Sequence, residues 1–265
     1  MDTELFVDTV WNHYRNHKRS FAWRINPTPY NVLLSEFMLQ QTQTSRVVSK
    51  FAEFKSSYPT FTDLADSPWE ELLTHWVGLG YNRRARNLHL TAQIIRDSFD
   101  GIVPQGKEEL LSLPGIGDYT SSAIRAFAFN IADAFIETNI RTVYLHHFFE
   151  GEFDVHDNVI IQVVKKTLDR TNPREWYWAL MDYGVYIKKT FGNPNIKSRH
   201  YSKQSKFEGS SRQLRSHILK SILTSKSVSK EELDSAFKYD SRAPKLIASM
   251  VQEGMIKFSG THYSM

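Results

Sequence analysis

The chain has 265 residues, 41% of them apolar and 23% charged, with a formal net charge of +4; that is material for one large or two modest domains with real cores. It contains no cysteine, which excludes disulfides, thiolate nucleophiles and cysteine-held metal clusters. No apolar run is long enough for a membrane span, and the acidic, amphipathic start MDTELFVDTVWNHYRNH does not read as a secretion signal, so a cytoplasmic protein is expected.

Glycine and proline are sparse, at 12 and 9 residues, and the long stretches show helical periodicity, so the expected fold class is mainly α. Residues 1–191 read as amphipathic helices broken at Asn26-Pro27, Tyr58-Pro59, Gly78-Leu79-Gly80, Val103-Pro104, Leu113-Pro114-Gly115 and Asn172-Pro173. His13 and His17 stand one helical turn apart, but no third ligand is evident, and no metal site is expected.

The first stretch with chemical content is VLLSEFMLQQTQ, Val32 to Gln43. Glu36 is the lone charge in an apolar helix, where desolvation would let it hold a proton near neutrality. Gln40, Gln41 and Gln43 then break the apolar pattern with amides, which can hydrogen-bond base edges or fill the space left by an extruded base. Further on, Gly78-Leu79-Gly80-Tyr81-Asn82-Arg83-Arg84-Ala85-Arg86 combines a glycine-rich turn, an aromatic ring and three arginines, a pattern suited to phosphate contact and intercalation.

Leu113-Pro114-Gly115-Ile116-Gly117-Asp118-Tyr119-Thr120 links a helix over 107–112 to one opening near Thr120. Two glycines at this spacing allow a tight turn, and their N–H groups with the positive end of the next helix make a phosphate seat. This is a helix-hairpin-helix signature for sequence-independent binding to a DNA backbone.

Ile136-Glu137-Thr138-Asn139-Ile140-Arg141 opens the next helix. An acidic residue favours that end of a helix, yet Thr138 and Asn139 are the expected N-caps. Glu137 is then redundant as a cap, which directs attention to chemistry.

The charge is unevenly spread. Residues 1–191 hold 20 Lys/Arg and 23 Asp/Glu, net −3; residues 192–265 hold 13 and 6, net +7. The expected division is a helical domain over 1–191, a basic linker over 192–206 and a small domain over 207–265. In the last, Leu214, Ile218 and Ile222 mark one helix, Ser229 with Glu232 caps a second, residues 242–253 form a third, and MIKFSGTHYSM reads as a hairpin around Gly260. That order is winged-helix-like, and its third helix is a candidate DNA-reading element.

Taken together, TPYNVLLSEFMLQQTQT, WVGLGYNRRARNLH, LPGIGDYTSSAI and IETNIRTV resemble, in order, the MutY-like adenine DNA glycosylases, within the helix-hairpin-helix superfamily that includes endonuclease III. The resemblance spans about residues 5–190. It implies a fold of two helical lobes, and a monofunctional enzyme that excises adenine opposite 8-oxoguanine or guanine from duplex DNA as a monomer, without a cofactor. Glu36 matches the catalytic acid, Glu137 the carboxylate that stabilises the sugar cation (aspartate in the family), and Asn139 an orienting asparagine. Tyr119 falls where strand-cleaving relatives carry a Schiff-base lysine. Trp23, Arg24, Leu39 and Asp182 match positions around the extruded base. Gln40, Gln41, Thr42, Tyr81, Arg83, Gly115, Gly117 and Tyr119 match DNA-contacting positions.

The sequence departs from the family in three ways. Lys188 stands where the first iron–sulfur cysteine is usual, and the loop after it is expected to replace the cluster structurally. The basic segment 207–265 takes the place of the usual Nudix-like domain. Glu137 replaces aspartate. Excision of thymine or uracil opposite guanine, or of a modified base, and a non-catalytic DNA-binding role remain the alternatives.

Overall fold

The computed structural model describes residues 2–265. In chain order its helices are α1 (Thr3–His17), α2 (Ala22–Ile25), α3 (Pro29–Leu39), α4 (Thr44–Ser57), α5 (Phe61–Asp66), α6 (Trp69–Trp76), α7 (Arg83–Ser98), α8 (Lys107–Ser112), α9 (Asp118–Phe129), α10 (Thr138–Phe148), α11 (Asp157–Thr167) and α12 (Pro173–Phe191). After a 3-10 turn at Pro194–Lys197 come α13 (Ser211–Ser225), β1 (Ser227–Ser229), α14 (Lys230–Ala236), α15 (Ala243–Gln252), β2 (Lys257–Phe258) and β3 (His262–Ser264). The chain forms two compact units. One runs to Glu36 and resumes over 104–203; the other joins 37–103 to 204–265. The boundary falls inside α3, directly after Glu36.

In the first unit α12 is the central element. Proline at its first turn suits the helix start, and its buried face carries Trp176, Tyr177, Leu180, Tyr183 and Ile187. Helix α1 presents Phe6, Val10 and Tyr14 at i, i+4, i+8, and Phe6 and Trp11 meet Trp176 with ring centroids 6.2 and 5.6 Å apart. Helix α10 lies against α12 so closely that a Cβ on Gly184 would stand 2.3 Å from the Asn139 carbonyl oxygen. Only glycine permits that approach. Within the expected linker, Asn195 is buried and its amide donates to Thr142 Oγ1 at 2.7 Å, pinning the 3-10 turn to α10.

In the second unit, Arg84 is the organising residue. It is 7% exposed. Its guanidinium donates to the carbonyls of Phe37 and Met38 at the end of α3, to those of Leu79 and Gly80, and to Thr42 Oγ1, all within 3.1 Å. The first two are carbonyls at a helix end; those of Leu79 and Gly80 lie in a turn and also accept from Thr42 Oγ1 and Trp76 Nε1. Arg84 therefore does not serve phosphate contact, as the run of three arginines led us to expect: its side chain is used up inside the unit. Burial without a carboxylate partner holds its pKa down to about 10.

The C-terminal segment belongs to this same unit. Trp69 Nε1 donates to the Met255 carbonyl at 3.0 Å, and Arg215 on α13 pairs with Glu253 at 2.6 Å. Ser229 and Glu232 form the expected capping box. The hairpin is present, but the sheet has three strands in the order β1-β3-β2, all antiparallel, with Val228 opposite Tyr263. Strand β1 escaped the sequence reading because three residues, two of them serine, show no alternation until a partner strand pairs them. The order helix, strand, two helices, hairpin is that of a winged helix.

Replacing Arg84 by methionine removes the side-chain donor from the Phe37 and Met38 carbonyls, while those of Leu79 and Gly80 keep Thr42 Oγ1 and Trp76 Nε1; each unpaired buried group costs about 1–3 kcal/mol. We expect Arg84→Met to lose about 3 kcal/mol or more in urea unfolding, with Arg84→Lys recovering less than half, since one ammonium cannot span both loops.

Candidate active site

Helix α3 carries Val32, Leu33, Leu34, Phe37 and Met38 fully or almost fully buried. Glu36 shares that burial at 6% exposure. Its Oε2 accepts a hydrogen bond from the Tyr119 hydroxyl at 3.1 Å. Desolvation pushes the Glu36 pKa up to about 7; the nearby Glu137 charge acts in the same direction, while the Tyr119 bond and the Arg24 charge oppose it. Glu36 is thus a buried carboxyl with one phenol donor. Burial and the two carboxyls drive the Tyr119 phenol well above its ordinary range, so it remains a neutral donor.

Tyr119 reaches Glu36 because of the hairpin before it. Gly115 adopts φ +80°, where L side chains are strained, and Gly117 is the N-cap of α9. Gly115, Gly117 and Asp118 are not buried, leaving the turn's backbone open to solvent at the positive end of a 12-residue helix.

Glu137 corrects one expectation. It is itself the N-cap of α10, not Thr138 or Asn139. Its Oε2 accepts the Asn139 backbone N–H at 2.6 Å, and its Oε1 accepts the Asn139 side-chain amide at 3.1 Å. The longer glutamate side chain folds back over the first turn and places both oxygens against donors. Capping and chemistry are thus not alternatives, because the same N–H groups that are capped favour the ionised carboxylate. Burial still raises the Glu137 pKa; the Asn139 and Ile140 N–H groups and the Lys188 and Arg141 charges work against it.

The remaining candidates fall into separate groups. Asp182 is buried, and its carboxylate is filled by Arg19 Nε at 2.7 Å, Arg19 N at 2.8 Å and Arg24 Nη1 at 2.9 Å. Arg24 in turn lies over the Trp178 and Phe21 rings, and Phe21 stacks on Trp23 at 5.0 Å. This is a fully paired wall, with no acid free to react. In the second unit Leu39 ends α3, and Gln41 and Tyr81 adopt positive φ, +53° and +47°. Thr42 is engaged with Arg84. The Tyr81 ring is flanked by Arg84 and Arg212, with guanidinium carbons 5.6 and 5.3 Å from its centroid, and its hydroxyl accepts from Gln204 and Arg212. Gln40, Gln41, Tyr81, Arg83 and Arg212 line one open groove of this unit.

Sequence reading missed four residues here: Arg84 as an internal anchor, Gly184, Asn195 and Arg212. Gly184 alone had a readable signal, a glycine inside a strongly helical run. Among the described residues no group of three or more His, Asp or Glu side chains is placed to hold a metal ion. His13 and His17 lie with ring centroids 4.9 Å apart, and His13 packs against Tyr183 and Tyr186. No helix among these residues is long and apolar enough to cross a membrane.

Comparison with known proteins places this arrangement. The chain is 34% identical over 192 residues to an adenine DNA glycosylase of Buchnera aphidicola subsp. Baizongia pistaciae, covering 71% of this chain and 54% of that protein. It spans about half the length of the curated relatives it matches. Among solved structures, a thermostable thymine-DNA glycosylase superposes with a TM-score of 0.62 at 26% identity, covering 69% of this chain and 86% of that one. Endonuclease III in a non-covalent DNA complex gives 0.57 at 18% identity, with coverages of 72% and 87%, and so shares the fold. The model of the HhH-GPD superfamily of base excision DNA repair proteins matches residues 34–173. That span is more than half the chain and includes Glu36, the hairpin, Tyr119 and Glu137: the protein belongs to the HhH-GPD superfamily.

Proposed function

We propose that the chain is a monofunctional DNA glycosylase that hydrolyses the N-glycosidic bond of adenine mispaired with 8-oxoguanine or guanine, acting as a monomer on duplex DNA. The observation that carries this reading is a pair of buried carboxyls with different hydrogen-bond partners. Glu36 is buried with a neutral phenol as its partner, and Glu137 is held by a helix N-terminus. Hydrolysis of a glycosidic bond needs one carboxyl as an acid and another as an anion beside the sugar cation.

In this mechanism the target base is first flipped from the stack, with the open hairpin at 115–118 gripping phosphate. Protonated Glu36 gives its proton to a ring nitrogen of the leaving adenine, and the C–N bond breaks with its electron pair staying on the base. The Glu137 carboxylate stabilises the cationic sugar electrostatically. Water then adds to the sugar carbon and passes a proton to the Glu36 carboxylate, restoring the acid. Tyr119 carries no amine, so no Schiff base forms at that position and strand cleavage is inefficient. The proton-holding Glu36 favours adenine, whose ring nitrogens accept protons, over thymine. The likeness to a thymine-DNA glycosylase structure keeps thymine or uracil opposite guanine as the second reading. A panel of duplexes, each with one mispair or lesion and scored for abasic sites after alkali, decides. Cleavage confined to thymine or uracil opposite guanine overturns the base assignment, and no cleavage of any duplex overturns the activity.

Glu36→Gln is expected to abolish excision while preserving DNA affinity. It is also expected to stabilise the fold. The folded pKa of about 7 lies above the ordinary value of 4.5, so between these the folded state holds a proton that the unfolded state has lost. Stability therefore falls as pH rises across that window, and wild-type excision declines above it. Above pH 7 the glutamine variant should be more stable by on the order of 3 kcal/mol, an advantage that vanishes on acidification below the window. Thermal melts of both proteins at several pH values check this.

Glu137→Asp should preserve or raise single-turnover excision and Glu137→Gln should lower it severely, roughly a hundredfold, because charge matters more than one methylene. Wild-type rates in the glutamine variant would leave Glu137 a helix cap alone.

The basic C-terminal segment is proposed to contribute duplex affinity. Since it shares the interior of the second unit, neutralisation is a cleaner test than truncation. Lys238, Lys245 and Lys257 are exposed; changing them to glutamine should flatten the dependence of log K on log salt by about 0.9 for each phosphate no longer neutralised. An unchanged slope in filter binding would remove the segment from the DNA interface.

A further inference from the structure

Asn139 is an amide bonded on both sides. Its Nδ2 donates to Glu137 Oε1 at 3.1 Å, and its Oδ1 accepts from Lys188 Nζ at 2.9 Å. An ammonium donates only and accepts nothing. With Lys188 on one side, the amide oxygen must face the lysine and the amide nitrogen must face the carboxylate. Lys188 therefore sets which way Asn139 is turned, and through it which way Glu137 is held.

The approach that makes this possible is built into α12. Gly184 and Lys188 are one turn apart on the same face. The missing side chain at Gly184 lets the Asn139 backbone come into contact, and Lys188 then reaches over the first turn of α10. Lys188 is partly buried, whereas Lys189 is the neighbour that follows it on the helix. The groups facing Glu137 are Asn139 and Arg141 on α10, Lys188 on α12, Glu36 on α3 and Tyr119 on α9. Of the two cations, Arg141 is already engaged by Asp157 of α11, at 2.8 and 2.6 Å. Lys188 is the one whose hydrogen bond runs to the Glu137 partner.

We propose that Lys188 is a positioning residue for the reaction, orienting Asn139 and holding Glu137 as an aligned anion beside the sugar. This rests on the glycosylase reading above. Burial lowers the Lys188 pKa while the Glu137 charge raises it, as a partly desolvated cation serving a carboxylate requires.

The test uses the full chain with Lys188→Met, Lys188→Gln and Lys188→Arg; the glutamine variant serves if methionine prevents folding. Glutamates are labelled at the side-chain carboxyl carbon, and the Glu137 resonance is identified by its loss in Glu137→Gln. Removing the charge should move the Glu137 titration midpoint upward, and Lys188→Arg should keep it near the wild-type position. In single-turnover excision the neutral variants should be about tenfold or more slower at neutral pH. Their acid limb should be displaced to higher pH and the alkaline limb set by Glu36 left in place. An unmoved midpoint overturns the proposal whatever the protein excises, because a merely structural lysine would change the melting temperature alone. A raised midpoint in a chain that releases no base sustains the proposal that Lys188 holds Glu137, and overturns the glycosylase function instead.

Discussion

Everything at this site depends on one carboxyl being kept out of water. Glu36 is the lone charge in a mostly apolar buried helix, and the hydrogen bond it receives is from a neutral phenol. Ionising it there is costly, so it keeps its proton to about neutrality. A second carboxyl close enough to feel that charge must then be treated differently if the two are to play different parts. Glu137 is: burial raises its pKa too, but backbone N–H groups, an amide and a nearby ammonium work against that rise. Both environments withhold solvation, and at Glu137 fixed donors replace part of it.

That division has a structural cost, met by close packing. The first turn of α10 must lie within reach of α12, and a single side chain at position 184 would prevent it. The 3-10 turn after α12 adds a further tie through Asn195. In the second unit the equivalent device is Arg84, a buried cation bonded to carbonyls and a hydroxyl rather than to a carboxylate. It fixes the end of α3 and the turn before α7, and so presents Gln40, Gln41 and Tyr81 beside the groove. Strained positive φ at Gln41 and Tyr81 is held in place by such anchoring.

The buried acid also places stability and chemistry in opposition. A carboxyl whose folded pKa exceeds its unfolded one subtracts from stability at working pH.

Much of this was legible in the chain. The helical class, the capping box at Ser229 and Glu232, the glycine turn before Tyr119 and the anomaly of a lone glutamate in an apolar helix are local properties. Periodicity, turn chemistry and composition reveal them without knowledge of tertiary neighbours. What the sequence could not settle was partnership. A run of three arginines reads as a phosphate surface, yet whether a guanidinium faces solvent or four carbonyls depends on loops separated by about forty residues. Glu137 read as redundant for capping because N-cap preferences average over many helices, whereas here the longer side chain folds back onto Asn139. Lys188, Asn139 and Glu137 lie 49 and 2 positions apart, and only the approach of α12 to α10 makes them one hydrogen-bonded chain. Sequence determined which chemical groups were available and which local shapes they prefer. Tertiary packing decided which of them meet, because hydrogen bonds and desolvation act over a few ångströms in space and not along the chain.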